Sequence, residues 1–427
     1  MPLKTTHPVR EQTDDRPAYR GIRVTFINRY FYPDVSATGQ ILFDLSRRLV
    51  KQGFEVSVVC SRQLYGHAQA ELPAEDLIEG IKVYRVRTTS FGRDNLFGRA
   101  LDYLSFYFTA GFKLLKITQP GDVLVAKTDP PLISLVAGAV ARWRGARLVN
   151  WLQDLFPEVV ILLGKGLPGW IYRLLLHLRD RSLKVASANV VIGTAMRDRL
   201  LKHHIDASTI HVIENWADSN YVSPKPASQS RVRSDLALHD KFVVSYSGNL
   251  GRAHEFETIL QAAIALRNDR DVVFLMIGGG VKSQQLVKEA KKHQLNNFVF
   301  LPYQPRENLA DSMAAGDVHL ISLLPNLEGL IVPSKFYGIL AAGRPSIVIG
   351  DVNGELAHLV RDEGCGEAVA VQDGTGLTDV IRKLKMDPQR CRQMSDRAYA
   401  LFLAQYTTYI GAQKWVRLFV RICTSGS

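Results

Sequence analysis

The segment VPSKFYGILAAGRP, residues 332–345, sets a serine and a lysine at what reads as a helix start and a stripe of small residues behind them. Ser334 suits an N-cap, Lys335 falls in the first turn, and Ala341, Ala342 and Gly343 let such a helix pack closely. A helix N-terminus carries roughly half a positive charge and unpaired N–H groups, so this arrangement suits a phosphate, and Lys335 strengthens the preference. A second segment, YSGNLGRAHE, residues 246–255, follows a strand-like run. Its Gly248 and Gly251, with Asn249 between them, let the backbone approach an anion, and Arg252 adds a charge-assisted contact. Together Arg252 and Lys335 could hold a diphosphate. Taken singly, the two segments also read as an ordinary capped helix and a tight strand-to-helix turn.

Two further segments put polar groups just past strand-like runs. NRYFYPDVSATGQ, residues 28–40, is a long loop with aromatics, Pro33 and Gly39 that ends at a helix start; it reads equally as a surface loop. WLQDLFPE, residues 151–158, sets Asp154 and Glu158 beyond a buried strand, where paired carboxylates could touch a sugar or an acceptor hydroxyl; Asp154 could equally cap the next element. Other chemistries leave no mark: there is no GxxxxGK[ST], HExxH or GxSxG segment. GGGVKS, residues 278–283, lacks the first-strand context of a dinucleotide fingerprint, which argues against nicotinamide redox chemistry.

The elements that must position these loops alternate regularly. GIRVTFINRYF is strand then loop, QILFDLSRRLVKQG is an amphipathic helix with Gly53 placed to stop it, and EVSVVCS is a second strand. Further strand-like runs fall at 81–87, 122–126, 147–152, 188–192 and 211–213. After ENWADSNYVSPKPASQS, residues 214–230, which lacks periodicity and reads as a linker, the pattern restarts with KFVVSYSGNLG, FETILQAAIALRN and VVFLMIGGG, then FVFLPYQP, DVHLISLL and PSIVIGD. Such alternation predicts an α/β fold of two Rossmann-like, doubly wound parallel-sheet domains facing across a cleft, with ligands at the carboxyl ends of the strands. The expected organisation is a disordered leader over 1–20, an N-terminal domain over 21–213, the linker over 214–230, a C-terminal domain over 231–405, and a helix over 406–427 packing across the domain junction.

Length and composition agree: 427 residues suit two domains, and 46% apolar residues suit packed cores. Four scattered cysteines without ligand spacing indicate neither a zinc site nor a disulfide framework and suit a reducing cytoplasm. The polar leader is no secretory signal, and the longest apolar runs fall short of the roughly 18 residues a membrane span needs. The formal charge is +12, and residues 141–202 carry eleven basic side chains against four acidic ones, mixed with aromatics and leucines in LPGWIYRLLLHLRDRSLKVA. Such a patch suits nucleic acid, an anionic membrane surface or phosphorylated small molecules; it also reads as a solvated helix face. No helix-turn-helix, RNA-binding or zinc motif supports nucleic acid.

In order and wording, FYPDVSATGQ, TDPPLISL, WLQDLFPE, IENWAD, YSGNLGRAH, FLPYQPRENL and VPSKFYGILAAGRP resemble the retaining GT-B glycosyltransferases of family 4 over roughly residues 21–420. The nearest likeness is to the bacterial O-antigen, capsule and exopolysaccharide subgroup that includes N-acetyl-L-fucosamine transferase-like proteins. The resemblance implies a nucleotide-sugar donor in the C-terminal domain, with its base near Pro302 and Tyr303. The diphosphate would lie between Gly248, Asn249, Gly251, Arg252 and the Ser334–Lys335 helix start. An acceptor, expected on a polyprenyl diphosphate lipid, would meet the N-terminal domain near Tyr32, Ser36, Thr38, Gly39 and Glu158, with Asp154 and Glu328 as candidate catalytic acids. Arg252 and Lys335 would stabilise the departing diphosphate without a metal or other cofactor, and the expected location is the cytoplasmic face of the membrane. Three departures stand out: Asn249, Leu250 and His254 replace part of a Gly-Arg-Leu…Lys pattern, and Gln153 replaces a histidine. Gly338 stands where a ribose-binding glutamate is expected, leaving Glu328 as the nearest other acid. Competing readings are a nucleotide-sugar 2-epimerase, which needs no second substrate, and a non-catalytic sugar-nucleotide-binding scaffold.

Overall fold

A computed structural model of the chain describes residues 19, 21–34, 36–64, 72–91, 96–164 and 166–424. The leader expected over 1–20 lies outside these residues apart from Tyr19. Two compact units result: residues 1–150 with 185–188 and 409–427, and residues 151–184 with 189–408.

Eight strands form the first sheet: β1 (Arg23–Ile27), β2 (Glu55–Ser61), β3 (Glu75–Ile78), β4 (Ile81–Val86), β5 (Val123–Lys127), β6 (Arg147–Trp151), β7 (Ala188–Val191) and β8 (Ile210–Val212). Their order is β3-β4-β2-β1-β5-β6-β7-β8. β2, β1 and β5 pair in parallel, whereas β3 joins β4 as an antiparallel edge hairpin. The hairpin turn is Glu79-Gly80, both at positive φ (48° and 82°), the geometry of a two-residue turn that matches strand twist. Sequence alternation misses β3 because Glu75 and Asp76 read as polar loop; the Glu-Gly pair before IKVYRV is the signal that marks it.

The helix after β1, α1 (Ala37–Lys51), buries Ile41, Leu42, Leu45 and Leu49, the i, i+1, i+4, i+8 spacing of one face. It ends where Gly53 turns the chain at φ 93° into β2. Crossovers α2 (Leu96–Ile117) and α3 (Ile133–Arg144) follow, and both pack with β5 on a core of Phe106, Ala110, Leu114, Leu124, Ile133 and Ala137. Beyond β6 come α4 (Glu158–Leu162), α5 (Gly169–Val185) and, after β7, α6 (Thr194–Lys202).

The second sheet holds β9 (Phe242–Asn249), β10 (Val272–Gly279), β11 (Phe298–Leu301), β12 (Val318–Ser322), β13 (Ser346–Gly350) and β14 (Gly366–Ala370), in the order β11-β10-β9-β12-β13-β14, and its pairs are parallel. Its inner strands β10, β9, β12 and β13 are buried on both faces along most of their length, and the two faces feed different cores. Leu320, Ile347 and Ile349 join Val244, Tyr246 and Phe274 on one side, while Ile321 and Val348 join Phe336, Leu340 and Phe402 on the other. This period of two is what a covered parallel sheet requires. In each sheet the winding direction reverses once, between β1 and β5 and between β9 and β12, and a ligand crevice opens at such a reversal.

The final helix, Thr408–Thr424, belongs to the first unit from Tyr409 onward. Trp415 and Phe419 are fully buried, and the Phe419 ring lies 6.4 Å from Phe26 and 6.0 Å from Phe54. Phe419→Ala is expected to cost about 3–5 kcal/mol, read as a lowered guanidinium midpoint of the first unit.

Candidate functional site

At the reversal in the second sheet, β9 and β10 end in paired glycines, Gly248 opposite Gly278, at φ 119° and 123°. A Cβ on Gly278 would stand 2.3 Å from the Gly248 carbonyl oxygen, so the close approach of the two strand ends admits only glycine there. Past them, Asn249 is exposed and accepts on its carbonyl from the Tyr246 hydroxyl (3.0 Å). Gly251 turns the chain, and Arg252 stands exposed. From β11, Pro302 and Tyr303 are also exposed, and the Tyr303 ring lies against Gly279, 3.2 Å from where a Cβ would be.

Lys335 enters the same place from the segment after β12, at the head of the helix Lys335–Ala341. Its Nζ sits 3.3 Å from the Tyr246 ring centroid, and a Cβ on Gly248 would be 3.9 Å from it. Although the residue as a whole is only half-buried, this Nζ is shielded from solvent and has no hydrogen-bond partner among the described residues. Burial holds its pKa well below the ordinary lysine range. Beside it, His254 accepts the Gly251 N–H through Nδ1 (3.1 Å), and burial, with the Lys335 charge, pushes its pKa down to about 4. His254 is therefore neutral near pH 7.

Ser334 occupies the N-cap position but is exposed and makes no side-chain cap bond. The N–H groups of Phe336 and Tyr337 are taken by the Pro333 and Ser334 carbonyls, so the pull on an anion comes from the Lys335 side chain more than from this seven-residue helix end. Gly338, one turn in, has helical backbone, and a Cβ there would meet nothing within 4 Å.

Glu328 has partners of its own. Its Oε1 accepts the Glu355 N–H (2.8 Å) at the start of the helix Glu355–Asp362, and its carbonyl accepts Arg199 Nε (2.9 Å). Burial, then the nearby Glu355 and Asp351, raises its pKa. Glu355 in turn accepts the Thr194 N–H (2.7 Å), the Thr194 hydroxyl (2.9 Å) and the Ala195 N–H (3.0 Å), capping α6 from 160 residues away. Sequence spacing gives no signal for this cap. Asp154 pairs with Ile331 in an antiparallel bridge, and Leu155 N–H donates to the Leu330 carbonyl, so the Asp154 segment runs alongside the chain between Glu328 and Lys335. Glu158 is occupied elsewhere: its carboxylate holds Arg179 at 2.9 Å and 3.2 Å, with His203 at 3.7 Å. Arg179, counted in the sequence as part of a surface patch, is consequently buried and paired, with Asp180 on its Nε (2.6 Å).

In the first unit, the loop after β1 is pinned at several points. Lys127, fully buried at the end of β5, donates to the Thr38 carbonyl (2.6 Å), and Arg85 donates to the Tyr32 carbonyl (3.2 Å). Asp34 accepts the Ser36 N–H (2.7 Å), and Gly39 packs so closely that a Cβ would stand 2.9 Å from Ser36 Oγ. Tyr32 stacks on Phe43 at 4.5 Å with 44% of its surface exposed. Arg29, missed in the sequence, is buried beneath this loop between Tyr30 and Tyr103, 3.6 Å from Asp102. Its position just past β1 is the one hint the sequence offers.

Comparison with known proteins gives matches to both halves. The profile described as glycosyl transferases group 1 matches residues 228–401, and the glycosyl transferase 4-like domain matches residues 37–216. The chain is 30% identical to the probable glycosyltransferase WbjE of Pseudomonas aeruginosa, over 68% of this chain and 73% of that protein. It is 28% identical to the putative colanic acid biosynthesis glycosyl transferase WcaI of Escherichia coli (strain K12), over 58% of this chain and 63% of that one. The structure of Anabaena Alr3699/HepE in complex with UDP-glucose superposes with a TM-score of 0.70 at 16% identity, over 94% of this chain and 100% of that chain.

Glu355→Ala removes the acceptor of three donors at the start of α6 and is expected to cost about 1–2 kcal/mol, measured by urea unfolding; Glu355→Gln should retain part of it.

Proposed function

The chain belongs to the group 1 glycosyltransferases and has their GT-B fold, and on that premise we propose that it moves a hexose or N-acetylhexosamine from a nucleoside-diphosphate sugar to a lipid-linked glycan in bacterial surface polysaccharide synthesis. The observation that carries the reading is the Lys335 ammonium, enclosed beside Gly248 at the sheet reversal without an anion or hydrogen-bond partner among the described residues. A donor diphosphate supplies what it lacks. UDP-glucose in the HepE complex supports this donor class, and the colanic acid name of WcaI supports the polysaccharide setting.

In this reading the bond between the anomeric carbon and the β-phosphate oxygen breaks while the acceptor hydroxyl oxygen bonds to the same carbon. The hydroxyl proton passes to the departing phosphate, and attack from the leaving-group face retains the configuration. Negative charge grows on the diphosphate as it leaves, and Lys335 and the exposed Arg252 stabilise it there without a metal or other cofactor. Gly248 and Gly251 keep the backbone close to the phosphates. Pro302, Tyr303 and Asn249 border the base. Asp154 faces the acceptor hydroxyl, and the Tyr32–Gly39 loop, with Ser36 and Thr38, meets the acceptor. The polyprenyl diphosphate carrier of that acceptor would place the enzyme on the cytoplasmic face of the membrane.

Release of nucleoside diphosphate from candidate sugar nucleotides, with and without lipid acceptor, tests the reading; binding with no turnover on any pair would favour a scaffold and sink it. Lys335→Met is expected to lower kcat about a hundred- to thousandfold, the loss typical of one buried oxyanion donor. Burial holds the Lys335 pKa down and a diphosphate favours the ammonium form, so binding should take up a proton and weaken as pH rises. Calorimetry in buffers of different ionisation enthalpy reads this uptake, which Lys335→Met should abolish. Gly338→Glu, which the open space beside Gly338 admits, should tighten nucleotide binding about tenfold or more if its carboxylate reaches the ribose; an unchanged Kd would mean that the ribose is held elsewhere.

A further inference from the structure

Helix α2 has two apolar faces, and the fold uses one of them. Phe106, Ala110 and Leu114 are fully buried in the core of the first unit. Leu104, Phe108 and Phe112, each four residues on from the last, stand 59%, 69% and 55% exposed. They form one stripe about 12 Å long, with the two phenylalanine rings 5.2 Å apart. Solvated helix faces do not carry contiguous aromatics of this size without a partner.

The C-terminal end of the stripe is cationic. Lys116, one turn past Phe112, is exposed. Arg144 Nε donates to the carbonyl of Thr118, the residue after α2's end (3.0 Å), which brings the ends of α2 and α3 together. There Trp143 is 76% exposed between Arg142 and Arg144, both also exposed. Among the described residues, Asp102 of α2 is buried against Arg29, and Glu75 holds Lys113 at 2.6 Å.

We propose that this face, the α2 stripe with Trp143 and its flanking cations, docks the protein on the surface of an anionic bilayer. Phenylalanine and leucine enter the acyl boundary, tryptophan sits at headgroup depth, and the lysine and arginines meet lipid phosphates. Protein partners suit such a stripe less well, because cations at its rim match phosphate and the chain's formal charge of +12 favours any anionic surface. No described helix is long and apolar enough to cross a membrane, so the contact is one of lying on it. The proposal rests on the lipid-linked acceptor read above only in giving the docking a purpose. It also locates the contact on α2 and on the α3 end of the basic segment 141–202 instead of on its α5 part, where Arg179 is taken by Glu158 and Asp180.

Flotation of the full chain with phosphatidylethanolamine–phosphatidylglycerol vesicles, against pure phosphatidylcholine vesicles, tests it. Phe108→Ser/Phe112→Ser is expected to lower binding to the anionic vesicles by about tenfold or more, and Lys116→Glu/Arg142→Glu by severalfold. Both variants should keep the wild-type unfolding midpoint, because the altered side chains are exposed. Arg173→Glu/Lys184→Glu on α5 should float as the wild type does. Wild-type flotation of the phenylalanine variant, or equal binding to phosphatidylcholine, would overturn the proposal. So would a lipid-free dimer that this variant dissociates, since the stripe would then be a self-interface. Nucleoside diphosphate release with a detergent-soluble acceptor is read separately: the phenylalanine variant should keep it, so loss of flotation and loss of transfer are distinguished.

Discussion

A lysine ammonium enclosed without a hydrogen-bond partner is among the more costly arrangements a protein interior can hold, and at the switch point of the second sheet Lys335 stands so among the described residues. The Tyr246 ring face returns part of the cost, about 1–2 kcal/mol for a desolvated cation–π contact. Desolvation of a cation takes several kcal/mol, so the remainder shows as a depressed pKa. The neighbours conform to this. Gly248 and Gly278 leave room that any side chain would fill, and His254 stays neutral. In the reading proposed above, an amine desolvated before the diphosphate arrives spares the site that reorganisation during transfer.

Around that charge the loops are held by side chains from distant parts of the sequence. Glu328 caps the helix that begins at Glu355, and Glu355 caps α6; each carboxylate meets the unpaired N–H groups and positive end of a helix. Three elements with no local reason to meet are thereby fixed in order. In the first unit cations do the equivalent work on carbonyls, with Lys127 on Thr38 and Arg85 on Tyr32. Lys127 and Arg85 are buried, so breaking either contact would strand a charge.

The alternating strands and helices were legible because burial on both sheet faces leaves continuous apolar runs, as in β5 and β10, and amphipathic periodicity in α1. The edge strand β3 was not, since a solvent-facing edge tolerates Glu75 and Asp76. Among the site residues, Gly248, Arg252 and Lys335 stood out by type and by their place after strands. Glu158 was misleading: carboxylates beyond a strand suggest chemistry, yet its partner is Arg179, 21 residues on in α5. The stripe on α2 was hidden for the opposite reason. An apolar residue in a helix reads as core, and nothing local separates Phe106, which is buried, from Phe108, which is not.

By itself, then, the sequence determined which residue types stand at strand ends, where the two sheets restart, and the family likeness carried by the ordered loops, because each of these is written in local spacing. Only the tertiary structure decided which charges are spent and which are left over. Whether a lysine is solvated, paired or enclosed depends on what distant segments put beside it. Lys335 and Arg179 look alike along the chain; folding gives Arg179 two carboxylates and gives Lys335 a ring face and no hydrogen-bond partner among the described residues.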